Sequence, residues 1–437
     1  MIRIDLAAVA AVFVLAIVAG VGSWAAPLSA EPLRVELPKV RKPLPTPLPE
    51  GGKPGFKLRG TKGWNWSPEQ YLEEVPVLAR YKMNLLMNCY TSLFTGRQPA
   101  HWKNEWWLPL PDAQKEGYAK VIRACREQGV NFCFAVHPQF CSPRPMNPSS
   151  AEDFEKLWQH YEWAQSQGVK WFCLPLDDVA AKTDQFVCVN NLFARLRAKA
   201  PECQLIFCPS EYWGTGGSAY LATLAKELHP DIYCFWTGPQ VVSRYITREQ
   251  AVSYKNSVKH RLIIWDNYPV NDGAPTLHLG PLTGRDPDLG EVCDGYMANP
   301  LCPQNQINRI PLLTEADYAY NPRAYDPLRS IGQAIAHLAD TEEQRQVLKD
   351  LVETYPGMII LGNQNTGDNP VRRQFSGMIR DAAARDAAIL FAAKYAGLAA
   401  RFDKAFPGRY PATKRTLRDD LQWMQGQLPA GGRAPER

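Results

Sequence analysis

The chain alternates short apolar runs with longer amphipathic stretches, and this rhythm limits its fold more than any other feature of the sequence. Eight apolar runs are bounded by polar residues, glycine or proline, at residues 56–64, 84–90, 130–138, 170–178, 203–212, 231–238, 261–269 and 295–300. The stretches between them have helical periodicity, as in residues 68–82, 113–128 and 151–167. Eight strand–helix units are enough to close a parallel sheet, so the sequence predicts an α/β protein with a (β/α)8 TIM barrel. A doubly wound open sheet is the alternative, but it usually has fewer strands and a glycine-rich first turn that is absent here.

The composition supports a large globular core. With 437 residues, of which 45% are hydrophobic, the chain is not mainly disordered. The 49 basic and 44 acidic side chains give a net charge of +5 without a local basic cluster, so we expect no nucleic-acid partner.

The first thirty residues have the pattern of a secretory signal. Met1 and Arg3 precede an apolar run at residues 6–21, and small residues follow it. The run is also nearly long enough to span a bilayer, so it could remain as a single uncleaved membrane anchor. We therefore expect export, to the periplasm or the medium or anchored to the outer face of the cytoplasmic membrane.

Composition shifts along the chain divide it into five segments. The region after about residue 312 is helical in pattern, notably at residues 326–339, 341–355 and 375–402. The predicted organisation is a signal peptide or anchor (1–30), a Pro-rich spacer (31–55), the barrel (56–325), a C-terminal helical appendage (326–428) and a disordered tail (429–437).

No metal site or organic cofactor is expected from the sequence. The 11 cysteines contain no CxxC pair and no zinc-type Cys/His spacing. His101 and His137 have no partner at metal spacing and are interpreted as structural or rim residues. Cys293 and Cys302 flank a predicted loop and could form a disulfide in an oxidising compartment.

Polar residues follow the apolar runs where the predicted strands end. The carboxyl ends of barrel strands meet at one face, so these residues should converge into one site. The sharpest example is Asp177 and Asp178, adjacent acids that a turning strand end can point in different directions. Mutual repulsion and partial burial raise the pKa of at least one such acid, which suits a general acid. A helix cap is the alternative explanation for the pair.

A second cluster suits recognition of a sugar ring. Trp265 offers a stacking surface, Asn267 can donate and accept hydrogen bonds, and Asp272 can accept from neighbouring hydroxyls. Tyr212, Trp236 and Asn299 end other runs. Ordinary turn formation is the alternative explanation for Asn and Asp residues at these points.

The motifs LPLDDVA, CPSEYW, FWTGPQVVS, IIWDNYPVND and GYMANP, in this order, resemble the catalytic domain of glycoside hydrolase family 84. These enzymes are β-N-acetylglucosaminidases, and they include enzymes that remove O-linked N-acetylglucosamine (GlcNAc) from proteins. The resemblance extends over about residues 58–339. It implies a retaining mechanism in which the sugar's own 2-acetamido oxygen attacks the anomeric carbon, an exception to the two-carboxylate schemes.

The resemblance also implies roles for individual residues. Asp177 would orient the acetamido N–H, and Asp178 would be the general acid and then the general base. Tyr212 would bond the acetamido oxygen, and Asp272 would hold the O4 and O6 hydroxyls. The sugar-binding residues implied in this way are Gly60, Tyr212, Trp265, Asn267, Asp272 and Asn299.

The chain departs from the family pattern at two strand ends. Thr91 stands near the position of a family Lys that binds a sugar hydroxyl. At the first strand end the turn contains Lys62, which could supply a compensating cation or could be an ordinary solvated lysine. The Trp-rich residues 94–110 would form an aglycone wall or a loop clamped to the barrel.

The resemblance therefore implies a retaining exo-β-N-acetylglucosaminidase whose partner is a GlcNAc-containing glycan or glycoprotein. Two alternatives remain open. One is a catalytically weak GlcNAc-binding protein, because the family Lys is missing. The other is a hydrolase of a related N-acetylated amino sugar.

Overall fold

The computed structural model describes residues 32–38, 53–90, 93–94, 104–381 and 384–428, and the description below concerns these residues. From Leu33 onward they belong to one compact unit. The predicted signal or anchor and the predicted tail lie outside the described residues. No helix within the described ranges is both long enough and apolar enough to cross a membrane.

Eight parallel strands form a closed barrel in chain order, with β8 paired to β1. Each strand lies within one of the eight predicted apolar runs, so the predicted (β/α)8 TIM barrel is confirmed. The strands are β1 (Leu58–Thr61), β2 (Leu85–Met87), β3 (Asn131–Ala135), β4 (Trp171–Pro175), β5 (Gln204–Cys208), β6 (Tyr233–Trp236), β7 (Arg261–Pro269) and β8 (Gly295–Asn299).

Helices follow the strands and cover the outside of the barrel. Their starts carry ordinary capping signals, such as Ser67, which with Gln70 forms a capping box, and Ser150, whose side chain accepts from the Asp153 N–H. The barrel helices are α1 (Pro68–Arg80), α2 (Asp112–Glu127), α3 (Ala151–Ser166), α4 (Asp184–Lys199), α5 (Ala219–Glu227), α6 (Arg248–Val258) and α7 (Asn305–Tyr320). A short 3-10 helix, Leu289–Glu291, precedes β8.

Five further helices end the described chain: α8 (Pro327–Leu338), α9 (Glu342–Thr354), α10 (Pro370–Arg380), α11 (Arg385–Ala405) and α12 (Pro411–Gln427). The single stretch predicted at residues 375–402 is divided between two helices, and the sequence between them holds no proline or glycine that would indicate the break. These helices share an apolar core with the loops that follow β7 and β8, through Leu277, Leu279 and Leu301.

No cysteine of the described chain forms a disulfide bond. Ten are buried, and Cys141 is partly exposed. Cys293 lies in the layer between strands and helices, whereas Cys302 contacts Trp64 and Cys89 in a separate cluster, so the structure does not form the pair considered from the sequence.

Candidate active site

Alternation along the strands decides which polar side chains enter the barrel. In β4, Cys173 belongs to the interior cluster and Leu174 to the layer under the helices. Continuing this alternation past the strand end points Asp177 inward. By the same count, four of the predicted residues stand at inward positions at the carboxyl ends of their strands: Asp177, Trp265, Asn267 and Asn299.

Asp177 is a buried acid with one occupied oxygen. Its Oδ2 accepts a hydrogen bond from the Tyr90 hydroxyl at 2.5 Å, while its Oδ1 has no hydrogen-bond partner among the described residues. Burial raises the pKa of Asp177, and the Tyr90 bond and the charge of Lys62 oppose that rise. The free oxygen can accept a hydrogen bond from a ligand.

Asp178 differs from Asp177 in its exposure to solvent. It is exposed at the mouth of the barrel, because its left-handed backbone (φ 57°) turns the chain at this point. Its Oδ1 accepts from the Tyr212 hydroxyl at 2.8 Å. Partial enclosure by the protein and then the charge of Asp177 raise the pKa of Asp178 to about 6. A carboxyl group with such a pKa can give and take a proton near neutrality.

His137 holds the backbone beneath this pair. Its Nδ1 accepts from the N–H groups of Gln139 and Phe140 at 3.2 and 3.0 Å, so the proton lies on Nε2, which donates to the Asp177 carbonyl oxygen at 2.9 Å. Burial lowers the pKa of His137 to about 4, so the ring is neutral at pH 7. The sequence-based interpretation of His137 as structural or rim missed this contact, since nothing in its own sequence neighbourhood indicates it.

Lys62 places its ammonium group inside the site. The residue is 1% exposed, and Nζ lies 3.9 Å from the ring centre of Trp64, 4.6 Å from that of Trp265 and 5.1 Å from that of Tyr90. No described carboxylate forms an ion pair with it. Burial lowers the pKa of Lys62, and the nearby carboxylates of Asp177 and Asp272 oppose this.

One wall of the site is built from β7 and β8. Trp265 packs against Phe235, and its Nε1 has no hydrogen-bond partner among the described residues. Asn299 Nδ2 donates to Asn267 Oδ1 at 2.8 Å, and Asn267 Nδ2 donates to the Val241 carbonyl at 2.7 Å. The Oδ1 of Asn299 is likewise unpaired within the described part of the chain. The wall therefore presents one donor and one acceptor to a polar ligand.

An ion pair on the outside of the barrel fixes this wall. Asp266, between Trp265 and Asn267, points outward and accepts from Arg285 Nε and Nη2 at 2.7 and 2.6 Å. Both side chains are 1% exposed, and the Tyr296 hydroxyl donates to the same carboxylate at 2.8 Å. Because Asp266 is held in place, the side chains of its neighbours Trp265 and Asn267 keep their inward direction.

The remaining predicted residues have distinct positions. Asp272, in the loop after β7, is exposed and adds its negative charge to the surroundings of Asp178 and Lys62, raising the pKa of each. Gly60 lies within β1, where an added Cβ would stand 2.0 Å from the Leu85 carbonyl oxygen, so strand packing accounts for the glycine. Its role in sugar binding stays a prediction.

Some residues singled out from the sequence lie outside the described part of the chain. Thr91, His101 and residues 95–103 of the Trp-rich stretch lie outside the described residues. Tyr90, next to Thr91, was not anticipated as a partner of Asp177, because the contact joins residues 87 positions apart. Within the described ranges, no group of three or more His, Cys, Asp or Glu side chains is arranged to hold a metal ion.

Comparison with known proteins gives concordant findings. The beta-N-acetylglucosaminidase family model matches residues 60–353. Rat and mouse proteins named protein O-GlcNAcase are each 28% identical over 280 residues, which is 60% of this chain and 29% of theirs. The chain thus spans less than a third of the length of these relatives.

Two solved structures share the fold. An O-GlcNAc hydrolase mutant from Thermobaculum terrenum superposes with a TM-score of 0.69 at 22% identity, covering 85% of this chain and 83% of that one. The structure of CpGH84B gives a TM-score of 0.65 at 22% identity, covering 85% and 67%. At 22% identity these two structures show that the fold is shared and nothing more. Because the family model covers most of the chain and the strand-end motifs are those of the same family, the chain belongs to the β-N-acetylglucosaminidases of glycoside hydrolase family 84.

Proposed function

We propose that this glycoside hydrolase is a retaining exo-β-N-acetylglucosaminidase that removes terminal β-linked GlcNAc by substrate-assisted catalysis. The observation that carries the proposal is the division between two adjacent acids. Asp177 is buried, with one oxygen free, and Asp178 is at the mouth, with a pKa of about 6. Two carboxyl groups in unlike surroundings can perform two different tasks.

In the first step the acetamido oxygen attacks the anomeric carbon, and an oxazoline ring closes as the glycosidic bond breaks. Asp178 gives its proton to the departing oxygen. Asp177 accepts a hydrogen bond from the acetamido N–H and so stabilises the positive charge that develops on that nitrogen. The nucleophile is part of the substrate, so the reaction gains from proximity.

In the second step water attacks the anomeric carbon, and the bond from that carbon to the acetamido oxygen breaks. The Asp178 carboxylate takes the proton that water loses, which restores the acid. The configuration at the anomeric carbon is retained because it is inverted twice.

The other residues bind the sugar in this proposal. Trp265, Asn267 and Asn299 line the acetamido side, and Asp272 holds O4 and O6. Lys62 is influenced by the charges of both Asp177 and Asp272. Its buried ammonium group would donate a hydrogen bond to a hydroxyl of the sugar.

The natural substrate is a GlcNAc-bearing glycan or glycoprotein, and we propose that the enzyme meets it outside the cytoplasm. The secretory pattern of residues 1–30 supports an exported location. The relatives named protein O-GlcNAcase support a protein-linked GlcNAc as one class of substrate.

The proposal is tested with 4-methylumbelliferyl N-acetyl-β-glucosaminide and the variants Asp177→Asn and Asp178→Asn. We expect turnover by the wild type and a loss of about 10²- to 10⁴-fold in kcat for each variant. With a 2,4-dinitrophenyl leaving group, which needs no proton, Asp178→Asn should lose much less in the first step, whereas Asp177→Asn should lose as much as before.

Asp231→Asn is the matched control. This carboxylate is paired with Arg197 at 2.7 Å and precedes β6, at the opposite end of the barrel. It should leave turnover unchanged. A folded wild type that binds GlcNAc but hydrolyses neither glycoside would contradict the proposal and favour a sugar-binding protein. Turnover of another N-acetylated amino sugar in place of GlcNAc would favour the other alternative.

A further inference from the structure

A segment of the C-terminal region crosses to the mouth of the barrel. Residues 355–369 join α9 to α10, and we call them the α9–α10 segment. Several hydrogen bonds attach it to the loops after β6 and β7. The Thr366 carbonyl oxygen accepts from His278 Nε2 at 2.9 Å, the Asp368 carbonyl accepts from the Thr276 hydroxyl at 3.0 Å, and Gln364 Nε2 donates to the Val242 carbonyl at 2.6 Å.

The same segment reaches a predicted sugar-binding side chain directly. The Thr366 hydroxyl donates to Oδ2 of Asp272 at 2.8 Å. Asp272 is exposed and has a left-handed backbone, with φ 47°. Its side chain therefore has little packing to fix it, and the Thr366 bond is the contact that selects its direction.

The backbone below Asp272 is already fixed. Asn271 is fully buried, and its Nδ2 donates to the Thr276 and Cys302 carbonyls at 3.1 and 3.3 Å. Its Oδ1 accepts from the Cys302 N–H at 2.8 Å. Asn271 thus holds the loop, and Thr366 holds the carboxylate that the loop carries.

The charge of Asp272 acts on other groups of the site. The negative charge of Asp272 contributes to the raised pKa of Asp178 and acts on Lys62 across the site. Asp272 therefore belongs to the electrostatic surroundings of the exposed acid and of the buried ammonium group.

We propose that Thr366 is a positioning residue for sugar recognition: by holding Oδ2 of Asp272 it directs Oδ1 to the O4 and O6 hydroxyls of the bound sugar. This rests on the proposed function and deepens it. The C-terminal helical region then takes part in specificity, because it supplies the group that orients a barrel side chain. Asp272, oriented by Thr366, would then distinguish sugars by their configuration at carbon 4.

The bond is expected to matter in the complex more than in the free protein. In water an exposed hydrogen bond contributes little to folding, because the solvent replaces it. When a sugar covers Asp272, water is excluded and the same bond strengthens. Loss of the hydroxyl should therefore alter substrate recognition while leaving the melting temperature nearly unchanged.

The test compares Thr366→Val with Thr366→Ser, using aryl β-glycosides of GlcNAc and of its 4-epimer. We expect Thr366→Val to raise KM for the GlcNAc glycoside about 5- to 20-fold and to reduce the preference over the 4-epimer by a similar factor. Thr366→Ser keeps the hydroxyl and should restore both values. The melting temperature should be the same in all three proteins.

Thr276→Val is the matched control, because it removes another hydroxyl bond to the same segment without touching Asp272. It should leave the epimer preference unchanged. If Thr276→Val changes that preference as much as Thr366→Val does, docking of the segment is responsible and the proposal is wrong. An unchanged preference in Thr366→Val would also overturn it.

A second variant pair isolates the contact itself. In an Asp272→Ala background, Thr366→Val should have no further effect on kcat/KM, because the hydroxyl has lost its partner. Equal effects in both backgrounds would mean that Thr366 acts elsewhere.

Binding separates this inference from the proposed function. Calorimetry with a stable thiazoline mimic of the GlcNAc oxazoline, and with its 4-epimer, needs no turnover. If the wild type does not hydrolyse glycosides, the proposed function fails. The positioning role is then still tested by binding. Thr366→Val should weaken binding of the GlcNAc mimic and reduce the ratio of its affinity to that of the 4-epimer, and unchanged values would contradict the role.

Discussion

Asp177 and Asp178 are neighbours in sequence but have different surroundings. Asp177 points into the barrel and is held by Tyr90, whereas Asp178 turns to the mouth and is held by Tyr212. The left-handed backbone at Asp178 makes the difference: in a straight strand Asp178 would point outward to the layer under the helices, whereas the turn brings it to the mouth. The backbone conformation therefore gives the two carboxylates the different surroundings on which their proposed roles depend.

The Tyr212 hydroxyl should shift the alkaline limit of activity, which the pKa of Asp178 sets. Asp178 must carry its proton to act as an acid, so kcat/KM should fall as the pH rises through a pKa of about 6. The Tyr212 bond favours the carboxylate and lowers that pKa. Tyr212→Phe should therefore move the alkaline limb upward, by about half to one pH unit.

The pH dependence of kcat/KM for an aryl GlcNAc glycoside measures this shift. Tyr220→Phe is the control, because that hydroxyl bonds Gln185 and does not touch Asp178. A downward shift in Tyr212→Phe, or an equal shift in the control, would contradict the assignment of Asp178 as the acid.

Lys62 should limit activity on the acidic side. Its charge lowers the pKa of Asp177, which must be ionised to accept the acetamido N–H. Lys62→Met should raise that pKa and move the acidic limb toward neutrality. It should also raise KM about tenfold, since a charged donor to the sugar is lost.

Lys82→Met provides the comparison for Lys62. Lys82 Nζ also lies over an aromatic ring, 4.5 Å from the centre of Tyr320, but it precedes β2 at the opposite end of the barrel. In Lys82→Met the acidic limb of the pH profile and the value of KM should both be unchanged. If both variants behave alike, the Lys62 effect is one of folding.

At the scale of elements, β7 carries two of the predicted sugar-binding residues, Trp265 and Asn267. It places Trp265 and Asn267 inward and Asp266 outward against Arg285. The outward pair is fully buried, so removing one partner leaves an uncompensated charge.

Arg285→Met should lower the free energy of unfolding by about 3–5 kcal/mol. Adding Asp266→Asn should recover part of this, because it removes the stranded carboxylate. Denaturant titration measures both effects. Arg261→Met breaks the ion pair between this β7 arginine and Asp294, whose side chains are 40% and 22% exposed, and should cost no more than about 1 kcal/mol. Equal losses in the two single variants would contradict this account.

The elements were largely predictable, and the contacts between them were not. Hydrophobic periodicity is local, so it predicted all eight strands, and the rule that the carboxyl ends of barrel strands meet at one face predicted that Asp177, Trp265 and Asn299 converge. Tyr90, His137 and Thr366 escaped prediction because each acts through a partner far along the chain. No local pattern encodes such a contact.

At the scale of the whole molecule, the barrel and the C-terminal helices share packing. The apolar core of the helices includes Leu277, Leu279 and Leu301 from the barrel loops. Buried polar contacts hold the helices together, since Asp420 accepts from the Tyr355 hydroxyl and from Arg372 Nε, both at 2.6 Å. The sequence predicted a helical appendage, but it did not indicate that a segment between two of its helices would meet a residue of the site.

The burial of ten of the eleven thiols gives the molecule a single place for a thiol-directed spectroscopic label. Cys141 is the partly exposed one, in the loop after β3. Burial and the charge of Asp178 raise the pKa of Cys141 to about 11, so its alkylation rate depends on the charge at the catalytic acid. A fluorophore attached there would sit beside the barrel mouth and report when a ligand enters it.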